Sequence, residues 1–171
     1  VGSVAVLTRE GQRIDFFEID PMVERIAREE FSFLAHARSS VNVEIGDGRL
    51  LVAQKPDRHF DLLYVDAFSG GSIPLHLFTS EALELYLRKC TTDGVVVLHI
   101  SSRAIAFDRV LRGWSRATGV PVLYRGFRPT PQQIAEGAKP SDVVAISASP
   151  ATRAVLARDG ERPFQVVLVP V

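Results

Sequence analysis

The stretch FDLLYVDAFSGGS, residues Phe60–Ser72, decides the fold that we predict for this chain. It contains an unbroken apolar run, LLYV, which is typical of a strand that is covered on both faces in a parallel sheet. The run ends at Asp66, and a flexible Gly-Gly loop follows. Ligands of open α/β sheets bind at the carboxyl ends of the strands, so Asp66 is our first candidate for the functional centre. The alternative is a solvated aspartate before a turn.

Two earlier predicted strands also end in carboxylates. The segment RIDFFEID, Arg13–Asp20, carries Glu18 near its end, and Val41–Ile45 is followed by Asp47 between two glycines. In a right-handed series of βαβ units the carboxyl ends of the strands line one edge of the sheet. We therefore expect the three acids to surround one crevice. Such a crevice suits a ligand with hydroxyl groups, an amino-purine edge and a positive charge.

Aspartates beside helices have a second interpretation, as helix N-caps. Asp20 precedes Pro21, and an N-cap aspartate followed by proline at the first helical position is a favoured combination, so we predict that Asp20 is a cap. Asp47 precedes a predicted helix, Arg49–Gln54, and suits capping and ligand binding equally well.

The rest of the chain continues the alternation of helices and strands. Further helices are predicted at Pro21–Phe31, from Thr79 toward Cys90, at Ala104–Thr118 and at Pro150–Arg158, and further strands at Val95–Ile100, Val120–Tyr124 and Asp142–Ser147. Phe164–Val169 is either a terminal strand or a tail. We predict a turn at Thr92–Gly94, a core histidine with a local hydrogen-bond partner at His99, and an irregular segment at Phe127–Ser141. The loop Phe68–His76 is long enough to act as a lid.

This alternation predicts an α/β fold: a doubly wound, mostly parallel sheet with helices on both faces, formed as a single domain by residues 1–171. No strand precedes Gly2, so we expect that the first strand of the domain is missing. The alternative is that Val4–Leu7 is itself a short first strand.

Composition excludes several classes of function. The 20 basic and 20 acidic residues balance, which leaves no electrostatic footprint for nucleic acid or an anionic membrane. The single cysteine, Cys90, excludes an internal disulfide framework and favours a structural role in a reducing, cytoplasmic environment. We expect that the chain binds no metal. Composition does not decide whether the chain forms a homodimer.

The order of four motifs, FFEIDP, VEIGDGR, FDLLYVDAFSG and IPLHLFTSEALELY, resembles the spermidine synthase branch of the class I S-adenosylmethionine-dependent methyltransferase fold. The resemblance implies a Rossmann-like domain that uses S-adenosylmethionine or its decarboxylated form. It implies that Glu18 holds the ribose hydroxyls, that Asp47 faces the adenine amino group and that Asp66 is the acid at the reacting centre. The cofactor-binding residues that it implies are Gly2, Glu18, Ile19, Asp47, Gly48, Asp66 and Ala67.

The resemblance leaves the acceptor open. Ser69 stands where similar aminopropyltransferases carry a second aspartate, and we assign Ser69 and His76 to the binding of a small acceptor, a polyamine or another nucleophile. Methyl transfer and aminopropyl transfer are therefore both expected alternatives. A non-catalytic nucleoside-binding module is the second hypothesis. A nicotinamide-dependent dehydrogenase is a weaker third, because the chain lacks a full glycine fingerprint.

Overall fold

A computed structural model describes residues 2–67, 74–101, 106–158 and 165–167. The chain packs as two compact units, Val1–Lys55 and Pro56–Val171. The expectation of a single domain stays a prediction. The Gly-Gly loop and Ser69, which belong to the predicted lid, lie outside the described residues.

The first unit combines two parallel strands with two helices. Its elements are a 3₁₀ helix Ser3–Leu7, β1 Arg13–Glu18, α1 Pro21–Glu29, β2 Ser40–Ile45 and α2 Gly48–Gln54. The strands pair in parallel from Arg13↔Ser40 to Glu18↔Ile45, and both helices pack against β1. The 3₁₀ helix replaces the alternative of a first strand at Val4–Leu7, which is wrong.

Aspartate caps begin both helices of the first unit. Asp20 accepts a hydrogen bond from the Met22 N–H at 2.8 Å, with Pro21 at the first helical position, which confirms the predicted cap. Asp47 accepts a hydrogen bond from the Leu50 N–H at 3.0 Å and caps α2. Both caps satisfy backbone donors that a helix leaves unpaired at its start.

The second unit is built on a five-stranded mixed sheet. Its strands are β3 Phe60–Val65, β4 Cys90–His99, β5 Val122–Phe127, β6 Ser141–Ile146 and β7 Gln165–Val167. Their order is β3-β4-β6-β5-β7, in which only the β3–β4 pair is parallel and the other three pairs are antiparallel. The α/β class is confirmed, and the sheet is more mixed than predicted because β6 enters between β4 and β5 in the opposite direction.

The second unit also contains helices, some of which pack against its sheet. They are α3 Ser80–Lys89, α4 Phe107–Thr118, α5 Pro131–Ala135 and α6 Pro150–Arg158, with a 3₁₀ helix at Leu75–Phe78. The helices α3 and α6 pack against β4, and α4 packs against β5. The most deeply buried large side chains are Tyr86, Phe107, Leu83, Leu98, Leu111, Leu123 and Ile146. No helix in the described part of the chain has the length and apolar composition that a bilayer crossing requires.

Two sequence expectations for β3 and its surroundings need correction. The LLYV run is not covered on both faces: Leu63 is buried, whereas Leu62 and Tyr64 are 58% and 43% exposed, so the alternating side chains of this strand pack on one face only. The segment Phe127–Ser141 is not wholly irregular, because it contains α5. A capping box between Thr130 and Gln133 begins that helix.

The position of Cys90 predicts an inert thiol. Burial, and secondarily the negative charge of Asp61, raises the pKa of Cys90 to about 12. The thiol therefore stays protonated at pH 8, whereas an ordinary cysteine is partly ionised there. We expect iodoacetamide at pH 8 to label the folded chain at least about 100-fold more slowly than the urea-unfolded chain. Equal labelling rates, measured by mass spectrometry, would contradict the structural role of this residue.

Candidate functional site

The carboxyl ends of β3 and β4 bring an aspartate and a histidine together. The two strands are parallel, with Val65 opposite Leu98, so the next residues, Asp66 and His99, lie side by side at one edge of the sheet. The Asp66 Oδ1 atom lies 2.8 Å from His99 Nδ1. The predicted position of Asp66 at a carboxyl end is confirmed, with His99 as its neighbour.

Both carboxylate oxygens of Asp66 have partners on the protein. The Tyr64 hydroxyl donates to Oδ2 at 3.2 Å, while Oδ1 contacts His99. Burial, and secondarily the charge and hydrogen bonding of Asp66, raises the pKa of Tyr64 to about 12, so this hydroxyl remains a donor at neutral pH. The Asp66 side chain is nevertheless 43% exposed, which leaves the carboxylate accessible to a substrate.

His99 connects this carboxylate to β6. Its Nε2 atom lies 2.7 Å from Ser101 Oγ, and Ser101 Oγ in turn accepts a hydrogen bond from the Asp142 backbone N–H at 2.7 Å. The His99 side chain is 22% exposed. The predicted local hydrogen-bond partner of His99 is confirmed, whereas the core position is wrong, because the ring lies at the sheet edge within a polar network.

A second carboxylate, Asp142, lies at this edge of the sheet, and the positive charge of Arg128 balances its negative charge. Asp142 lies at the amino end of β6, which meets the carboxyl ends of its neighbours because β6 runs antiparallel to β4 and β5. Arg128 donates to both carboxylate oxygens at 2.7 and 3.2 Å, and the Tyr124 hydroxyl donates to Oδ1. Burial alone would raise the pKa of Asp142, but the hydrogen bonds from Arg128 and Tyr124 outweigh it and lower the pKa.

In the first unit, the predicted ribose acid also lies at the ends of two parallel strands. Glu18 pairs with Ile45, and its carbonyl accepts the Gly46 N–H at 2.8 Å, so Glu18 and Asp47 share one strand edge. The Glu18 Oε1 atom accepts the Asp20 backbone N–H at 3.1 Å. The next residue, Ile19, is 71% exposed, an apolar surface at that same edge.

Gly2 has a conformational reason to be glycine. Its φ of +103° lies in the left-handed region, and a Cβ atom would come within 2.5 Å of Leu34 Cδ2. Gly2 directly precedes the 3₁₀ helix Ser3–Leu7. A contribution of Gly2 to donor binding stays a prediction.

Several predicted site residues keep the status of predictions. Glu18, Asp47 and Gly48 belong to the first unit, whereas Asp66 and Ala67 belong to the second, so the shared crevice of the three acids stays a prediction. His76 lies exposed on the 3₁₀ helix Leu75–Phe78, and its acceptor role also stays a prediction.

Sequence reasoning missed the residues that surround Asp66 and extend its network. They are Tyr64, His99, Ser101, Tyr124, Arg128 and Asp142. One signal was present in the sequence, since a histidine at the end of an otherwise apolar strand, VVVLHI, is out of place in a core.

The α/β fold of this chain is shared with solved proteins of the class I methyltransferase fold. A spermidine synthase in complex with the transition state analogue AdoDATO has a TM-score of 0.59 at 16% identity, covering 88% of this chain and 53% of that chain. Human methyltransferase-like protein 13, solved with SAH, has a TM-score of 0.58 at 22% identity, covering 80% and 61%. These likenesses show that the fold is Rossmann-like, as predicted.

The family follows from sequence comparison. The model of the spermine/spermidine synthase domain matches residues 4–109. A polyamine aminopropyltransferase of Vibrio vulnificus is 33% identical over 97 residues, which cover 56% of this chain and 32% of the relative. The chain therefore belongs to the spermine/spermidine synthase family, and it spans about a third of the length of this curated relative.

Proposed function

We propose that this chain provides the reaction centre of a transferase that moves an alkyl group from an adenosyl sulfonium donor to an amine acceptor. The observation that carries the proposal is the Asp66 carboxylate, held at the end of β3 by Tyr64 and His99 while 43% of its side chain stays exposed. Membership of the spermine/spermidine synthase family supports the reaction class.

An exposed carboxylate at this position performs a necessary step. An amine is protonated at neutral pH, and an ammonium has no lone pair with which to attack carbon. Asp66 would bind the ammonium and accept its proton. The nitrogen then attacks the carbon next to the sulfonium, the new C–N bond forms as the C–S bond breaks, and the sulfur leaves as a neutral thioether. The donor is already activated, so positioning and the removal of this proton are the main tasks of the protein.

The chemistry of the donor fits the first unit. Within the described residues, the hydrogen bond on the Glu18 carboxylate is at Oε1, from the Asp20 N–H, and Oε2 is available for a ribose hydroxyl. We propose that Glu18 binds the ribose, that Asp47 contacts the adenine amino group and that the exposed Ile19 packs on the nucleoside. Gly2 and Gly48 of the same unit would let the donor approach the backbone closely.

The form of the donor decides between two reactions. S-adenosylmethionine would supply a methyl group, and its decarboxylated form would supply an aminopropyl group. The Vibrio vulnificus relative is a polyamine aminopropyltransferase, which favours aminopropyl transfer, whereas Ser69 in place of a second aspartate favours an acceptor with less positive charge. We propose aminopropyl transfer first, with methyl transfer as the alternative that the donor experiment decides.

Calorimetry with adenosyl compounds tests the donor site. We expect the protein to bind decarboxylated S-adenosylmethionine and 5′-methylthioadenosine, and the Glu18→Gln variant to bind both about 10- to 100-fold more weakly, because it loses a charge-assisted hydrogen bond to the ribose. Glutamine can still accept the Asp20 N–H, so the strand end should be retained.

The matched control is Glu10→Gln, which removes the same charge from an exposed position before β1 and should leave the affinity unchanged. Tighter binding of S-adenosylmethionine than of its decarboxylated form would favour methyl transfer. The proposal fails if no adenosyl compound binds the wild-type protein at millimolar concentration, or if both glutamine variants bind like wild type.

A further inference from the structure

Both ring nitrogens of His99 are engaged by the protein, and the carboxylate beside Nδ1 defines the tautomer of the neutral ring. Asp66 Oδ1 lies 2.8 Å from Nδ1, and a carboxylate can only accept a hydrogen bond, so the proton of the neutral ring resides on Nδ1. The Nε2 atom is then an acceptor. Ser101 Oγ lies 2.7 Å from Nε2 and accepts the Asp142 N–H at 2.7 Å, and its own proton can be donated to Nε2.

We propose that His99 is a positioning residue of the acceptor site: in its neutral, Nδ1-protonated form it holds Asp66 as an uncompensated carboxylate to which one ammonium group of the acceptor binds. This inference rests on the proposed function and deepens it, because it specifies the acceptor as a cation and makes its binding depend on the charge of His99.

The charged groups around His99 include Arg125 on β5, which pairs with the same β6 residue, Val143, as His99 does. Within the hydrogen-bonded network of Asp66 and His99, the charges support a single anionic subsite. On β6, Asp142 is neutralised by the two hydrogen bonds from Arg128, which follows β5. The hydroxyls of Tyr64 on β3 and Tyr124 on β5 are uncharged, since both phenols have raised pKa values. Among the described residues of this network, Asp66 is thus the carboxylate without a cationic partner as long as His99 is neutral.

Protonation of His99 changes that balance. The imidazolium would donate from Nε2 to Ser101 as well as from Nδ1 to Asp66, and the histidine–aspartate pair would carry no net charge. An acceptor ammonium then faces a neutralised carboxylate and binds more weakly. The structure thereby assigns the expected effect to the KM of the acceptor.

Long-range ¹H–¹⁵N NMR of the histidine side chains tests the tautomer without any need for turnover. His99→Gln identifies the His99 signals, and at pH 8 we expect the Nδ1-protonated form. Ser101→Ala should retain the Nδ1-protonated form, because the Asp66 carboxylate still requires a proton on Nδ1. An Nε2-protonated ring in the wild-type protein would overturn the proposal.

Steady-state kinetics with putrescine and 1,3-diaminopropane, each with the better-bound adenosyl donor, test the consequence. Between pH 8 and pH 5.5 we expect the KM of the amine to rise about tenfold in the wild-type protein. A tenfold change corresponds to one pK unit of interaction between two charges. In His99→Gln the amide still donates to Asp66 but does not titrate, and the rise should be less than about twofold. His36→Gln, which removes an exposed histidine of the first unit, should retain the wild-type profile.

The outcomes separate this inference from the proposed function. Turnover with the same KM profile in the wild-type and His99→Gln proteins would overturn the role of His99 and leave the transferase standing. If low pH changes only kcat, the role of His99 is likewise overturned and the transferase stands. A purely structural or general-base role predicts no rise in KM. Absence of both donor binding and turnover in the wild-type protein would remove the proposed function and, with it, the acceptor site.

Discussion

Asp66→Asn is expected to lower kcat/KM for the amine acceptor by about 10²- to 10⁴-fold, the range over which a positioned proton acceptor contributes to catalysis. The amide of asparagine cannot accept the proton that the ammonium must lose, and it offers no negative charge to bind the cation. Its geometry matches that of aspartate, with an oxygen toward His99 and an amide group toward the Tyr64 hydroxyl. The strand end should therefore remain folded.

The control for this variant lies on the same strand. Asp61 is exposed and accepts a hydrogen bond from Thr91 at 3.1 Å, so Asp61→Asn removes one negative charge from β3 at a distance from the site. It should retain wild-type kcat/KM. Both variants should bind 5′-methylthioadenosine within about threefold of wild type, because neither changes Glu18. Activity of Asp66→Asn close to that of Asp61→Asn would exclude Asp66 as the proton acceptor.

The position of Asp66 could be predicted from sequence because it depends on local information. An apolar run that stops at an acid and is followed by glycines identifies the carboxyl end of a strand, and β3 ends at Val65 as expected. The N-cap role of Asp20 was predictable for the same reason, since proline at the next position favours a helix start. Such features can be predicted from the neighbouring residues in the sequence alone.

The surroundings of Asp66 could not be predicted because they depend on strand pairing. His99 belongs to an apolar run, and hydrophobic periodicity does not show which residue of another strand it faces. That information is in the register, Val65 opposite Leu98. Asp142 lies still further along the chain, and it reaches this edge only because β6 is antiparallel to β4. Expecting a mostly parallel sheet puts the start of β6 at the opposite edge, away from Ser101.

The connection from β5 to β6 fits their antiparallel pairing. A parallel neighbour needs a crossover that passes over the sheet, usually through a helix, whereas antiparallel neighbours can be joined at one end. The five-residue helix α5 is the only helix between Phe127 and Ser141 in this fully described stretch, and β5 and β6 are adjacent and antiparallel. The Thr130-Pro131 pair was a usable signal for α5, because a capping threonine before proline favours a helix start.

The predicted turn at Thr92–Gly94 is an irregularity within β4, and it makes Gly94 sensitive to substitution. The pairing with β3 jumps from Phe60↔Cys90 to Leu62↔Val95, so β4 carries extra residues between these two pairs. A Cβ atom on the buried Gly94 would lie 2.9 Å from the Phe60 carbonyl oxygen, from the Thr91 backbone nitrogen and from Cys90 Cβ. These are mostly backbone atoms, which cannot move away as the end of a flexible side chain would.

Gly94→Ala is therefore expected to lower the free energy of unfolding by about 2–3 kcal/mol, the upper part of the range for overpacking a closed site. Chemical denaturation monitored by the fluorescence of Trp114 measures it, since this tryptophan is buried in the second unit. Gly113→Ala is the matched control: Gly113 lies in α4, and a Cβ atom there meets nothing within 4 Å. Alanine at that position should raise the free energy by about 0.5–1 kcal/mol through helix propensity. If both alanine variants change stability in the same direction, close packing around Gly94 is not the reason for glycine at this bulge.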